Sequence, residues 1–243
     1  MEKIIVYTHS DCLTKDNGPN HPERKERLET VLESVKELDS LDIVIKEAPL
    51  AISETINLVH PQSHLDIIFS MIPNTGLVGV EKEPYADTFL CEYSKEAILR
   101  SCGAGIAAAD DVIKGSEKRI FCAVRPPGHH AETTRVNGFC FVNNVAVTAR
   151  YLQNQYQFGR IAIIDFDVHH GNGTQEIFYS DKSVAYGSIH EHPLFPGTGS
   201  ENETGVGNIF NAPIQSGASS DEFINIFEGK ILETLTNLNQ TQS

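Results

Sequence analysis

Two short segments carry side chains whose types and spacing suit hydrolytic metal chemistry. Residues 160–174 begin with an apolar run, Ile161 to Ile164, and switch abruptly to Asp165, Asp167, His169 and His170. A short β-branched run flanked by charge and glycine reads as a buried strand of a parallel sheet. Ligand sites in open α/β sheets lie just beyond the carboxyl ends of such strands. A strand period of two puts Asp165, Asp167 and His169 on one face. Carboxylate oxygen and neutral imidazole nitrogen both suit Zn²⁺, which makes Asp167 and His169 candidate ligands. The second segment, residues 125–132, reads Arg-Pro-Pro-Gly-His-His-Ala-Glu and follows another apolar strand. Its prolines and glycine predict a rigid, irregular loop that offers His129 and His130 as base and acid toward a water and a leaving amine. A carboxylate behind one imidazole raises its basicity and an amide behind the other does not, so Asp165 and Asn172 are candidates for those supporting places.

The elements that must position these groups follow from periodicity. Apolar strands are expected near residues 3–8, 42–48, 119–124, 161–164, 183–189 and 208–214, alternating with helices near 62–72, 94–114, 144–157, 174–179 and 219–238. That alternation predicts an α/β fold with a mostly parallel central sheet. Another helix follows Pro22, which suits a first helical position, with Leu28, Val31, Leu32, Val35 and Leu38 as its core stripe. Arg24 and Arg27 read as solvated charges on that helix, with a site role as the alternative. Gly103 and Gly105 inside the 94–114 helix imply close packing. Polar clusters at 9–11, 125–132, 165–173 and 188–192 all sit at strand ends and hold seven of the ten histidines, which predicts one shared crevice. His60 and His64 are four apart, but Pro61 between them breaks a common helix face, so they read as structural. Residues 73–89 read as loop. No repeat or low-complexity linker appears, so one domain over 1–243 is expected.

Composition bounds the partners. The chain has 243 residues, enough for one sizeable core, and a net charge of −14, which disfavours direct nucleic-acid binding. No window approaches a membrane span and the first residues lack a signal peptide. Five cysteines without a CxxC pair fit reduced thiols in the cytoplasm.

The motifs carry a resemblance. Residues 125–132, residues 138–144 (Gly-Phe-Cys-Phe-Val-Asn-Asn) and residues 164–175 (Ile-Asp-Phe-Asp-Val-His-His-Gly-Asn-Gly-Thr-Gln) resemble the histone deacetylase superfamily, in the flavour of its class II-like bacterial deacetylases and acetylpolyamine amidohydrolases. Residues 20–24, Asp87-Thr88, 187–190 and 195–199 match as well. The resemblance implies the arginase/deacetylase fold and zinc-dependent removal of acyl groups from lysine side chains or polyamine-like amines. It implies zinc ligands at Asp167 and His169, an acid/base pair at His129 and His130 backed by Asp165 and Asn172 respectively, and an acyl tunnel lined by Gly138, Phe139 and Phe195. Asp87 is implied as a substrate acceptor at the rim. K⁺ is implied near Asp165, Asp167, His169, Ser188 and the Phe178 backbone.

The same resemblance implies a third ligand, an Asp, and a carbonyl-polarising Tyr from later segments. Neither Asp221 nor Tyr186 is placed to substitute, so the expectation is an incomplete chain, lacking the last strands and helices, with weakly held zinc and with its own activity open. The alternative is a non-catalytic protein that binds acyl ligands or a partner. A homo-oligomer is compatible with either reading.

Overall fold

The computed structural model describes residues 2–80 and 87–232. The expected loop around Pro84 and Tyr85 and the expected helical residues 233–238 lie outside them. The chain divides into two compact units, Met1–Leu152 and Gln153–Ser243.

The first unit is organised on β1 (Glu2–Thr8), which pairs in parallel with both β2 (Leu41–Glu47) and β5 (Ile120–Cys122). A strand with partners on both edges and layers on both faces must be apolar where it is covered, as Ile4, Ile5 and Val6 are. Alternation along β1 divides the core accordingly. Val6 packs with Leu28 and Val35 of α2 (Lys25–Lys36), whereas Ile5 and Tyr7 pack with Ala104 of α5 (Ser94–Lys114) on the other side. α5 lies close to its neighbours because it lacks side chains where they meet. A Cβ on Gly103 would stand 1.9 Å from the Pro49 carbonyl oxygen, and one on Gly105 would stand 2.2 Å from Thr148 Oγ1. Short helices α1 (Asp11–Thr14), α3 (Ser53–Ile56) and α4 (Gln62–Ser70) join these elements. The region expected as loop contains a small antiparallel pair, β3 (Val78–Gly79) with β4 (Phe89–Leu90). The first unit also holds the start of α6 (Asn144–Tyr156).

Two local expectations are corrected. Pro22 is not a first helical residue, since α2 begins at Lys25 after an extended Arg24. The α2 core stripe is narrower than its spacing predicts: Leu28 and Val35 are buried, but Val31 and Leu38 are exposed, as are Arg24 and Arg27. A strand layer contacts one side of a helix, so a five-residue apolar stripe wider than that contact leaves its margins in solvent.

In the second unit β6 (Ile161–Asp165) pairs in parallel with β7 (Val184–Glu191), and β7 with β8 (Ile209–Ile214). α7 (Asn172–Phe178) connects β6 to β7. The last helix opens as expected, with Ser219 Oγ accepting from Glu222 N at α8 (Ser220–Ile226), but residues 227–232 continue it with π-helical pairing rather than a regular amphipathic helix. Ile231 there closes on Ile189 and Ala212.

His60 and His64 are structural, as their spacing around Pro61 implies. Their rings stack at 4.8 Å. His60 Nδ1 meets Thr133 O at 3.0 Å, Asn143 N donates to His60 Nε2 at 2.9 Å, and His64 Nε2 meets Phe141 O at 2.8 Å. Burial, then the neighbouring His64, pushes His60 down to about 4. The imidazole is thus neutral in the fold but protonated in the unfolded chain below its ordinary value of 6.5. Its contribution to stability is complete above 6.5 and is lost as pH falls toward 4. Urea-unfolding free energy should drop with a slope of up to about 1.4 kcal/mol per pH unit in that window, and His60→Gln should flatten it. An equal slope in the variant would reject this assignment.

Candidate active site

In the first unit the two histidines arise from a loop anchored at each end. Arg125, a buried residue, grips Glu23 through both carboxylate oxygens and donates from Nη1 to Cys12 O at 2.8 Å and Lys15 O at 3.3 Å. Burial raises the Glu23 carboxyl, but the Arg125 hydrogen bonds and charge outweigh it and hold Glu23 below the usual carboxylate range. Farther along, Ser101 Oγ donates to Pro126 O at 2.7 Å and Asn144 Nδ2 donates to Ser101 Oγ at 2.8 Å, so the first residue of α6 supports the same loop. Gly128 packs so closely on Asn144 that a Cβ would meet its Oδ1 at 2.3 Å. The loop then turns, and the His129 and His130 rings face each other with centroids 4.0 Å apart. His130 is buried and His129 half-buried. Adjacent residues on a strand would point apart; this turn brings them to one side.

Gly138 backs this pair. It has φ +52°, and a Cβ there would stand 2.4 Å from His130 Cδ2, so only glycine allows the approach. Phe139 follows with φ +68°, an uncommon conformation for an aromatic residue. Thr88 accounts for it. Its Oγ1 accepts from Phe139 N at 3.0 Å and donates to Asp87 Oδ1 at 2.7 Å. His21 lies edge-on to Phe139 at 4.8 Å, and its Nε2 meets Asp87 O at 2.9 Å. Gly138, Phe139 and Asp87 are therefore brought together. His21 and Thr88, which do the joining, were quoted in the motifs but given no role; the short polar side chain directly after Asp87 was the available signal.

In the second unit the strand explanation for Asp165, Asp167 and His169 is corrected. β6 ends at Asp165, and the next residues turn. Asp165 Oδ1 accepts from Asp167 N at 3.1 Å, and Asp167 Oδ1 accepts from His169 N at 2.9 Å. These are two successive side-chain-closed turns, each spanning two residues. They share the period of a strand, which is why the spacing alone reads as one. Glu191 N of β7 donates to Val168 O at 2.9 Å and fixes the turn against the sheet.

Asp167 Oδ1 and His169 Nδ1 lie 3.2 Å apart. Two ligands on a tetrahedral zinc with bonds of about 2.0–2.1 Å stand about 3.3 Å apart, so the pair fits two corners of such a site. No group of three or more His, Cys, Asp or Glu side chains with metal-holding geometry occurs among the described residues. Asp165 is tied by its other oxygen, which accepts from Tyr186 OH at 2.9 Å. Tyr186 is fully buried, and burial followed by the Asp165 charge raises its pKa well above the ordinary value. This partner escaped the sequence reading, although Tyr186, Ser188 and His190 fall on one face of the predicted strand. Asn172 is the buried first residue of α7. Phe195 presents its edge to the His169 ring at 6.1 Å. Ser188 Oγ pairs with His190 Nδ1 at 2.9 Å, and the Phe178 carbonyl accepts from Asn208 Nδ2 at 2.9 Å, together with the carbonyls of Asp181 and Val184.

These local geometries coincide with family membership. Residues 21–240 match the histone deacetylase domain. The chain belongs to the histone deacetylase family. It is 34% identical over 240 residues to a probable deacetylase of Archaeoglobus fulgidus, covering 96% of this chain and 64% of that protein. It is 35% identical over 215 residues to human histone deacetylase 9, covering 79% of this chain and 21% of that protein. The solved structure of the HDA15 HD domain superposes with a TM-score of 0.86 at 31% identity, covering 95% of this chain and 67% of that one. The α/β architecture is accordingly that of a histone deacetylase domain. The chain spans less than two thirds of the length of these two curated relatives.

Proposed function

We propose that the chain, as one deacetylase-like domain over 1–243, belongs to a protein that carries out zinc-dependent hydrolysis of acylated amines, with an acetylated lysine side chain or an acetylpolyamine as substrate. The observation that carries this reading is the Asp167–His169 pair, whose 3.2 Å separation matches two zinc ligands. Zinc, when bound, supplies Lewis-acid polarisation of the amide carbonyl and lowers the pKa of water. The remaining work falls to the protein. One imidazole of the His129–His130 pair takes a proton from water and the other delivers one to the departing amine nitrogen. In this reading the carboxylate of Asp165 serves to make His129 the stronger base, and the amide of Asn172 leaves His130 the better acid. Gly138, Phe139 and Phe195 grip the aliphatic stem and exclude water, and Asp87 accepts from substrate N–H groups at the rim. K⁺ near Asp165, Asp167, His169 and Ser188 belongs to the same reading, with the Phe178 carbonyl as a softer contributor. Two protein ligands alone hold zinc weakly, so a third donor is part of the reading.

No helix of the described residues is long and apolar enough to cross a membrane. All five cysteines are free thiols, which supports a reducing compartment such as the cytoplasm.

The test is a panel of acetyl-lysine peptides and acetylated polyamines, assayed with and without chelator. Chelator-sensitive release of acetate from one class supports the proposal and names the substrate. Retention of an acetyl-lysine peptide without turnover supports the non-catalytic alternative instead.

A further inference from the structure

Glu203 belongs to none of the histidine-rich motifs, yet it is the hub of a hydrogen-bond network in the second unit. Its Oε1 accepts from Ser200 N at 3.0 Å, and its Oε2 accepts from Gly199 N at 3.1 Å and Gln175 Nε2 at 2.5 Å. A carboxylate only accepts, so the Gln175 amide must turn its N–H toward Glu203 and its carbonyl away. That carbonyl meets His170 Nε2 at 3.1 Å, which makes Nε2 the protonated nitrogen and leaves Nδ1 to accept from Thr198 Oγ1 at 2.8 Å. The polarity of the whole chain, from Glu203 through Gln175 and His170 to Thr198, is thus set by one negative charge. The loop carrying Phe195 is held by it at three consecutive residues, Thr198, Gly199 and Ser200.

Packing points the same way. Gly199 has φ +91°, and a Cβ there would stand 2.4 Å from His190 Nε2 and 2.6 Å from His170 Cγ. The loop backbone therefore lies directly on two buried histidines, and His190 Nε2 meets Gly199 O at 3.0 Å. His170 is the chain neighbour of His169, against whose ring Phe195 stands.

We propose that Glu203 is a positioning residue which, through Gln175, His170 and Thr198, holds Phe195 against His169 and so keeps in place the wall that grips the substrate's aliphatic stem. The proposal rests on the deacetylase reading for its acyl chemistry, but its geometric half can be tested without turnover.

The chain contains no tryptophan, so Phe195→Trp introduces a single indole emitter. In that background Glu203→Gln should lower the indole's anisotropy and raise its acrylamide quenching at unchanged far-UV circular dichroism. Glu203→Asp, which keeps the charge, should restore part of the signal. Glu201→Gln on the same loop, where Glu201 pairs with Lys230, should change nothing. If Glu203→Gln fails to fold, Thr198→Val removes the last link of the network and should act in the same direction, with Thr198→Ser restoring it. In hydrolysis of acetyl- and butyryl-lysine peptides by the protein with Phe195 intact, Glu203→Gln should raise KM for the acetyl peptide about fivefold with kcat little changed. Unchanged indole mobility in Glu203→Gln, an equal change in Glu201→Gln, or a fall in kcat at constant KM overturns the proposal. If the parent protein cleaves neither peptide nor any acetylated polyamine, the deacetylase reading fails, and the fluorescence measurements still decide whether Glu203 holds the loop.

Discussion

Replacing His130 by alanine is expected to lower turnover about 10²–10⁴-fold on an acetylated substrate, the range typical of losing one positioned acid or base. The ring is 4% exposed and packs against the bare backbone of Gly138, so its orientation is imposed by the fold. His129, half-buried and 4.0 Å away ring to ring, should show a loss of similar size. The two variants differ in their pH profiles: each should remove a different limb of the bell-shaped dependence of kcat/KM, because one group must begin as base and the other as acid. His64→Gln, which alters a stacked histidine pair outside the proposed acid/base pair, should leave both limbs in place. Two identical profiles for the His129 and His130 variants would refute the division of roles.

The largest expected stability effect lies at the root of the same loop. Removing one partner of the Arg125–Glu23 pair should cost about 3–5 kcal/mol, since the other charge is then left buried without its counter-ion. The side chains are 5% and 1% exposed, so water cannot replace the lost partner. Glu23 alone would retain Asn17 Nδ2 at 2.6 Å and the charge of the buried Lys15, whereas Arg125 alone would retain two carbonyls, so Glu23→Leu is the costlier loss. Arg125→Met and Glu23→Leu should each lower the urea midpoint strongly. The double variant Arg125→Met with Glu23→Leu should be less destabilised than the sum of the singles, because neither charge remains. Strict additivity would show that the pair is not energetically coupled.

Much of this architecture is legible from residue order because local and global signals agree. The run Ile4, Ile5, Val6 reads as a strand, and the alternation of its contacts between α2 and α5 follows from a period of two. Gly103 and Gly105 read as contact points in a helix, and both meet neighbours that a Cβ would strike. Other features resist such reading. Asp165, Asp167 and His169 share a face through side-chain-closed turns, and spacing alone cannot separate these from a strand. Val31 and Leu38 extend the α2 stripe in sequence, but the width of the layer it covers is a tertiary quantity. Pro22 carries a helix-start signal that the chain does not use until Lys25. Tyr186 and Glu203 were missed for a further reason: they bond to Asp165 and Gln175, 21 and 28 residues away, and no local window contains such pairs.

The proposed chemistry depends above all on Asp167 and His169 holding the metal. Zinc titration of the 243-residue chain and its Asp167→Ala and His169→Ala variants, followed by competition with a chromogenic chelator, tests this most directly. One site is expected, with an affinity that falls at least about tenfold in either variant, in keeping with the loss of a direct ligand. Zinc affinity unchanged in both variants would contradict it.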